Sequence, residues 1–216
     1  MHNAEIRDYA EIRGNAMIYR NAQIFDRAII FGNAVIFNNA KIYDDSQVHD
    51  EAIVSGNAMI CDNAEIYDCA EISGNVIISD FVKVYGNAKI YDDAKIFDNA
   101  KIYDNAYVYG NSKICSNAEV FGNASVCSDA VIRRHAKVSN TSDYIIFKNW
   151  WSSGRSFTWT RSNNMWSVGC FYGTGEELIA KAYRDSELSG REYKRVVDYV
   201  ESILRDTTDE KRSTSL

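Results

Sequence analysis

Three histidines and five cysteines carry most of the reactive chemistry in this 216-residue sequence. Imidazole is the side chain whose ordinary pKa lets it move protons near neutral pH. His2 lies at the terminus. His135 takes a place that Asn usually holds in the surrounding pattern. His49 falls in a series of aromatic residues with Phe31 and Tyr67, and is the better candidate for a general base. Its plainer reading is one more flat ring in that series. Cysteines stand at 61, 69, 115, 127 and 170, and no two have C-x-x-C spacing. An odd number without ligand spacing reads as reduced thiols of a cytosolic protein, with no metal expected. There is no recognisable Ser/His/Asp set and no Gly-Lys-Ser/Thr phosphate loop.

All four tryptophans, Trp150, Trp151, Trp159 and Trp166, are close together in the chain, with Arg155 and Arg161 among them. They fit the core of a small module. They also fit a binding surface for a planar ligand or a peptide, in which the rings stack and the arginines hold polar groups. Gly173-Thr174-Gly175 ahead of a helix could hold an anion, although a simple N-cap accounts for it as well.

The elements that position these residues follow from a repeat. Every sixth residue from 6 to 144 is Ile in sixteen cases, Val in seven, and Tyr144 in the last. Two residues earlier the series is Ala in nineteen cases, Ser at 46, 112 and 142, and Val at 76 and 82. Small at i−2 and branched at i is strand alternation with both side chains inward. Asp, Gly or Asn follows within a few residues, as in Asp44-Asp45 and Gly56-Asn57, and these types tolerate left-handed turn dihedrals. A short strand and a turn every six residues predict a triangular coil of eighteen. Twenty-four repeats predict eight coils, a prism about 38 Å long at the ~4.8 Å strand spacing.

Ile6/Ala10, Ile12/Ala16 and Ile60/Ala64, an aliphatic residue followed four positions later by a small one, resemble the hexapeptide-repeat family. The resemblance covers about two thirds of the chain. It implies a left-handed parallel β-helix over residues 1–144. The Gly-Asn-Ala-x-Ile and Asp-Asn-Ala-x-Ile flavour is similar to uncharacterised bacterial and prophage repeat proteins. Many members of the wider family are acyl-CoA-dependent acyltransferases whose trimers use a histidine base, which would assign that role to His49 and a CoA thioester as co-substrate. Those enzymes usually break the repeat with an excursion loop, and none interrupts residues 4–144 here. The related γ-class carbonic anhydrases need three histidines on one zinc. His49 and His135 stand about five coils apart, roughly 24 Å, too far to share a metal within one chain.

Eighteen-residue stacking predicts columns. Asn3, Asn21, Asn39, Asn57, Asn75, Asp93, Asn111 and Asp129 form one, an expected amide ladder. Phe31, His49, Tyr67, Tyr85, Tyr103 and Phe121 form a ring column, and Tyr19, Phe37, Tyr91 and Tyr109 another. Met17, Val35 and Ile53 precede Glu71 and Lys89 in an outward column flanked by Tyr19 and Phe37. That apolar end is a candidate interface for a homo-oligomer, dimer or trimer. The open strand edges of the first coil also invite pairing, with a second chain or with a preceding domain.

Beyond the repeat, residues 145–206 predict three strands separated by Ser-Ser-Gly and Ser-Asn-Asn turns. Two helices follow, with capping boxes at Thr174-x-x-Glu177 and Ser189-x-x-Glu192. This small α+β module is expected to cap the last coil, and residues 207–216 read as a polar, frayed tail. The net charge of −6 divides into −7 for residues 1–144 and +1 for the rest. Neither half has the basic stripe of a nucleic-acid binder. No run is apolar enough to cross a membrane, and no signal peptide is apparent. The expected protein is therefore a cytoplasmic, non-catalytic, oligomeric binding scaffold, with a host protein or small signalling molecule as partner and no cofactor. The acyltransferase stands as the alternative.

Overall fold

The computed structural model describes residues 4–213, with side chains through residue 206. Its first unit is a parallel β-solenoid. Twenty-three two-residue strands, from Glu5–Ile6 to Lys137–Val138, form three sheets of eight, eight and seven strands. Each strand pairs with the one eighteen residues on, as in Met59↔Ile77 and Ile60↔Ile78. The N–H groups of one coil donate to carbonyls of the next, Lys41 to Ala58 at 2.9 Å and Glu65 to Val82 at 2.9 Å.

The inward pairs build the core. Ile24, Ile30, Ile36, Ile42 and Ile60 are fully buried beside Ala22, Ala28 and Ala34. Each such Ile contributes about 1.5–3 kcal/mol of burial. In the first coil Ile6 is 50% exposed. The corners turn through left-handed residues, such as Asp26, Asp44, Asp62, Asp80 and Asp98 at φ between 56° and 62°. Their carboxylates accept from the N–H eighteen residues later, Asp80 from Asp98 at 3.1 Å and Asp98 from Ser116 at 3.0 Å.

The solenoid has about seven coils rather than eight, because the twenty-fourth repeat leaves the register. Thr141–Asp143 forms a 3-10 turn in which the Asp143 carboxylate accepts from the N–H groups of Ser139 and Asn140, both at 2.9 Å. Tyr144 then starts a five-residue strand, Tyr144–Lys148. Side chains take over from the missing strand. The Tyr144 hydroxyl donates to the Ser125 carbonyl at 3.0 Å and accepts from the Cys127 N–H at 3.2 Å. The Thr141 hydroxyl accepts from the Ser125 N–H at 3.3 Å, and that of Ser162 from the Lys137 N–H at 2.7 Å. The first unit thus runs to Ile146 and also takes in Thr160–Asn163.

The second unit comprises Phe147–Trp159 and the chain from Asn164. The strands beyond the repeat form one four-stranded sheet in sequence order: Tyr144–Lys148, Ser156–Thr160, Met165–Val168 and Phe171–Gly173. One more strand is present than the sequence suggested, because Gly169 at φ 56° turns the chain between Val168 and Phe171, which pair. Helix α1, Gly175–Asp185, starts at Thr174 with the expected capping box. Helix α2, Glu187–Ser213, begins earlier than the Ser189 box implied. The Ser186 hydroxyl accepts from the Ser189 N–H at 3.1 Å, so Ser189 lies inside the helix. It also continues past residue 207, where a frayed tail was expected. No Gly or Pro follows Gly190 to break it.

Two substitutions test the solenoid account by thermal denaturation. Tyr144→Phe strands the Ser125 carbonyl and Cys127 N–H and is expected to cost about 1–3 kcal/mol. Ser112 is fully buried and its hydroxyl has no hydrogen-bond partner, so Ser112→Ala is expected to raise the melting temperature, by about 1 kcal/mol of stability. In Ser46 the same hydroxyl donates to the Tyr43 carbonyl at 2.7 Å, so Ser46→Ala brings no comparable gain.

Candidate functional site

The residue after each inward aliphatic projects outward, and coil stacking lines these residues up. Phe31, His49, Tyr67, Tyr85, Tyr103 and Phe121 form one continuous stack, with centroid separations of 4.4, 5.2, 5.0, 5.0 and 5.1 Å. His49 is sandwiched between Phe31 and Tyr67, and its Nδ1 lies 3.0 Å from the Asp50 carboxylate. A carboxylate beside Nδ1 can orient an imidazole as a base, but both ring faces are occupied by neighbours. Tyr19 and Phe37 stack at 5.2 Å as the spacing predicted. Phe25 and Tyr43 form a further pair at 4.9 Å that sequence reading passed over, although the two stand eighteen apart in the same kind of position.

Several phenols in these stacks are held neutral at ordinary pH. Burial raises the pKa of Tyr67 and Tyr85. Burial and a hydrogen bond to Glu119 at 3.1 Å push Tyr103 up to about 12. Two buried thiols are similarly restrained. Burial pushes Cys61 up to about 11, with a hydrogen bond from Tyr43 acting in the opposite direction, and burial also raises Cys115. Neither is poised as a thiolate nucleophile. Among the described residues no group of three or more His, Cys, Asp or Glu side chains could hold a metal ion. His2 lies outside the described residues, and His135 sits exposed at a left-handed turn, φ 61°.

The amide ladder is present where it is described. Asn21 donates to Asn39, Asn39 to Asn57, Asn57 to Asn75 and Asn75 to Asp93, at 2.9–3.1 Å. Asn111 donates to Asp129 at 3.3 Å, while Asn3 lies outside the described residues. Met17, Val35 and Ile53 pair in register, with Met17 55% and Tyr19 41% exposed. Together with Phe37 they make one apolar patch on the third sheet. Towards the C-terminus its column continues as Glu71 and Lys89, which form an ion pair at 2.9 Å.

The second unit separates the tryptophans. Trp159 and Trp166 are buried at 1% and 2% exposure, and the Trp159 indole N–H donates to Asn164 at 2.8 Å. Neither offers an open ring face. Trp151 is half-buried, edge-on to Phe157 and Tyr193, and its N–H has no partner. Trp150 is 73% exposed, and Arg155 is also at the surface. Arg161 belongs to the first unit, where its backbone N–H donates to the Asp143 carbonyl at 2.8 Å.

Two concavities stand out among the described residues. One of about 430 Å³ lies in the second unit between Phe171, Tyr172, Glu177, Lys181, Arg184 and Asp185, where two cations offset two carboxylates. The other, about 570 Å³, opens at a solenoid corner lined by Arg20, Asn21, Asn38, Asn39, Gly56 and Asn57. Sequence reading found the Asn ladder there but not the notch, whose signal was the run Arg20, Asn38, Gly56, Gly74 at eighteen-residue spacing. No helix of the described residues is long and apolar enough to cross a membrane. No family model and no curated protein matches the chain.

Two measurements check these assignments. If His49 serves as a ladder ring, His49→Phe keeps the melting temperature while His49→Ala loses two ring contacts, about 0.5–1.5 kcal/mol each. Because the Cys61 thiol titrates near 11, its alkylation by iodoacetamide is expected to rise about tenfold per pH unit from 7 to 10. A plateau setting in at about pH 9 would mean an ordinary, exposed thiol.

Proposed function

We propose that this chain is a non-catalytic scaffold of the hexapeptide-repeat type, wound in the left-handed sense that resemblance implies, and that it self-associates through its apolar face. The observation that carries this reading is the patch of Met17, Tyr19, Val35, Phe37 and Ile53. Its members are held in register by strand pairing and by a ring stack at 5.2 Å. Apolar side chains lined up on one outward face, with Met17 55% and Tyr19 41% exposed, suit a contact surface. The rigid coils fix that surface without further ordering cost on association, which favours binding. The exposed Trp150 and the outward rings offer additional contacts to a host protein or a small molecule, in the cytoplasmic setting that the unpaired cysteines suggest and the prophage setting that the repeat flavour suggests.

Sedimentation velocity tests the interface. The parent chain is expected to sediment as an oligomer, and Val35→Glu, which buries a charge in any such contact, as a monomer with unchanged circular dichroism. Identical sedimentation of the two would remove this face from the account.

One observation favours a second reading, an acyl-CoA-dependent transferase. It is the His49–Asp50 pair at 3.0 Å, which has the geometry of an oriented base. Thiol release from acetyl-CoA that His49→Ala abolishes while His49→Phe keeps the fold would establish that reading in place of the first.

A further inference from the structure

The solenoid stem is acidic, yet one stretch of one corner is free of carboxylates. Positions 20, 21, 38, 39, 56, 57, 74 and 75 read Arg, Asn, Asn, Asn, Gly, Asn, Gly, Asn. The corner that holds Asp8, Asp26, Asp44, Asp62, Asp80 and Asp98 is the opposite case. Gly56 and Gly74 leave the notch unfilled. A Cβ on Gly56 would stand 2.7 Å from the Gly74 backbone nitrogen, and φ is +72°, so a larger residue there is strained. The concavity that results measures about 570 Å³, too large for a lone anion.

Its walls are rich in donors. The Arg20 guanidinium uses one N–H on the Asn38 side-chain amide oxygen at 2.6 Å and lies 5.9 and 5.7 Å from the centroids of Tyr19 and Phe37. Its hydrogen-bond partner is neutral, whereas Arg27 forms a two-point ion pair with Asp45 at 2.7 and 2.6 Å. Each ladder amide of Asn21, Asn39 and Asn57 spends one N–H on its neighbour and has a second N–H to give. The rungs repeat at ~4.8 Å, comparable with the separation of alternate hydroxyls on a sugar ring. A planar guanidinium fork suits a phosphate, and a row of amides suits hydroxyls, since each amide both donates and accepts.

We propose that this notch binds a small phosphorylated polyol, its phosphate on Arg20 and its hydroxyls along the Asn21–Asn39–Asn57 amides. The notch borders the apolar face, since Arg20 lies against Tyr19 and Phe37, so the titration is repeated on the Val35→Glu chain, where equal binding is expected and separates failure of the notch from failure of that face.

The test is calorimetric titration of the full chain with glucose 6-phosphate, inorganic phosphate and glucose, alongside the side-chain amide spectrum of 15N-labelled protein. Glucose 6-phosphate is expected to bind at least about tenfold more tightly than either comparator, and to shift the Asn39 and Asn57 amide signals. Arg20→Asn removes the charge and keeps a residue that Asn38 shows to be at home at φ 62°. Asn38→Asp places a carboxylate on Arg20, in a conformation that Asp adopts at other corners. Each is expected to weaken binding about tenfold or more, while Arg27→Asn leaves it unchanged. Absence of binding overturns the proposal, as does equal affinity for phosphate or glucose. Equal weakening by Arg27→Asn would also overturn it, by showing general charge attraction.

Discussion

Everything outward-facing in the first unit depends on one constraint: each coil must spend eighteen residues so that its inward Ala and Ile or Val stack on those of the next. Hydrogen bonds such as Lys41 to Ala58 hold that spacing, and burial of Ile24, Ile42 and Ile60 makes any slip costly. Once the period is fixed, side-chain chemistry repeats along columns. Rings meet rings, amides meet amides, and turn carboxylates meet the next coil's N–H. The same strictness places Met17, Val35 and Ile53 in one line, and two glycines in succession below Arg20 and Asn38.

A column therefore acts as a unit, and its function depends on what interrupts it. His49 is an interruption in a column of Phe and Tyr, and its flanking rings at 4.4 and 5.2 Å treat it as one more ring. The exchange of Ile53 for Glu71 and Lys89 is an interruption of another kind. It ends an apolar surface and replaces it with an ion pair. At the corner of Arg20 and Asn38 the next two coils supply Gly56 and Gly74, and there the interruption leaves a hollow. Regularity supplies the rigid frame, and the departures from it supply the places where another molecule can be recognised.

The period, the inward residues and most columns were legible in the sequence because each rests on local alternation repeated many times. The end of the solenoid was not. Tyr144 keeps the six-residue spacing and remains buried, but it arrives on a different strand, and its hydroxyl replaces a hydrogen-bonded neighbour. A spacing count sees a twenty-fourth repeat where the backbone has already turned. The tryptophans show the converse limit. Four indoles close in sequence suited either a core or a surface, and the fold divides them, with Trp159 and Trp166 buried and Trp150 exposed. The notch at Arg20 escaped because a hollow is made by side chains that are absent, and glycine at a turn reads only as a turn.

Native mass spectrometry of the purified chain, alone and with added CoA, tests the central claim most directly. The scaffold account predicts an oligomer whose mass does not change when CoA is added. A trimer that gains one CoA mass per subunit would contradict it and return His49 to the position of a catalytic base.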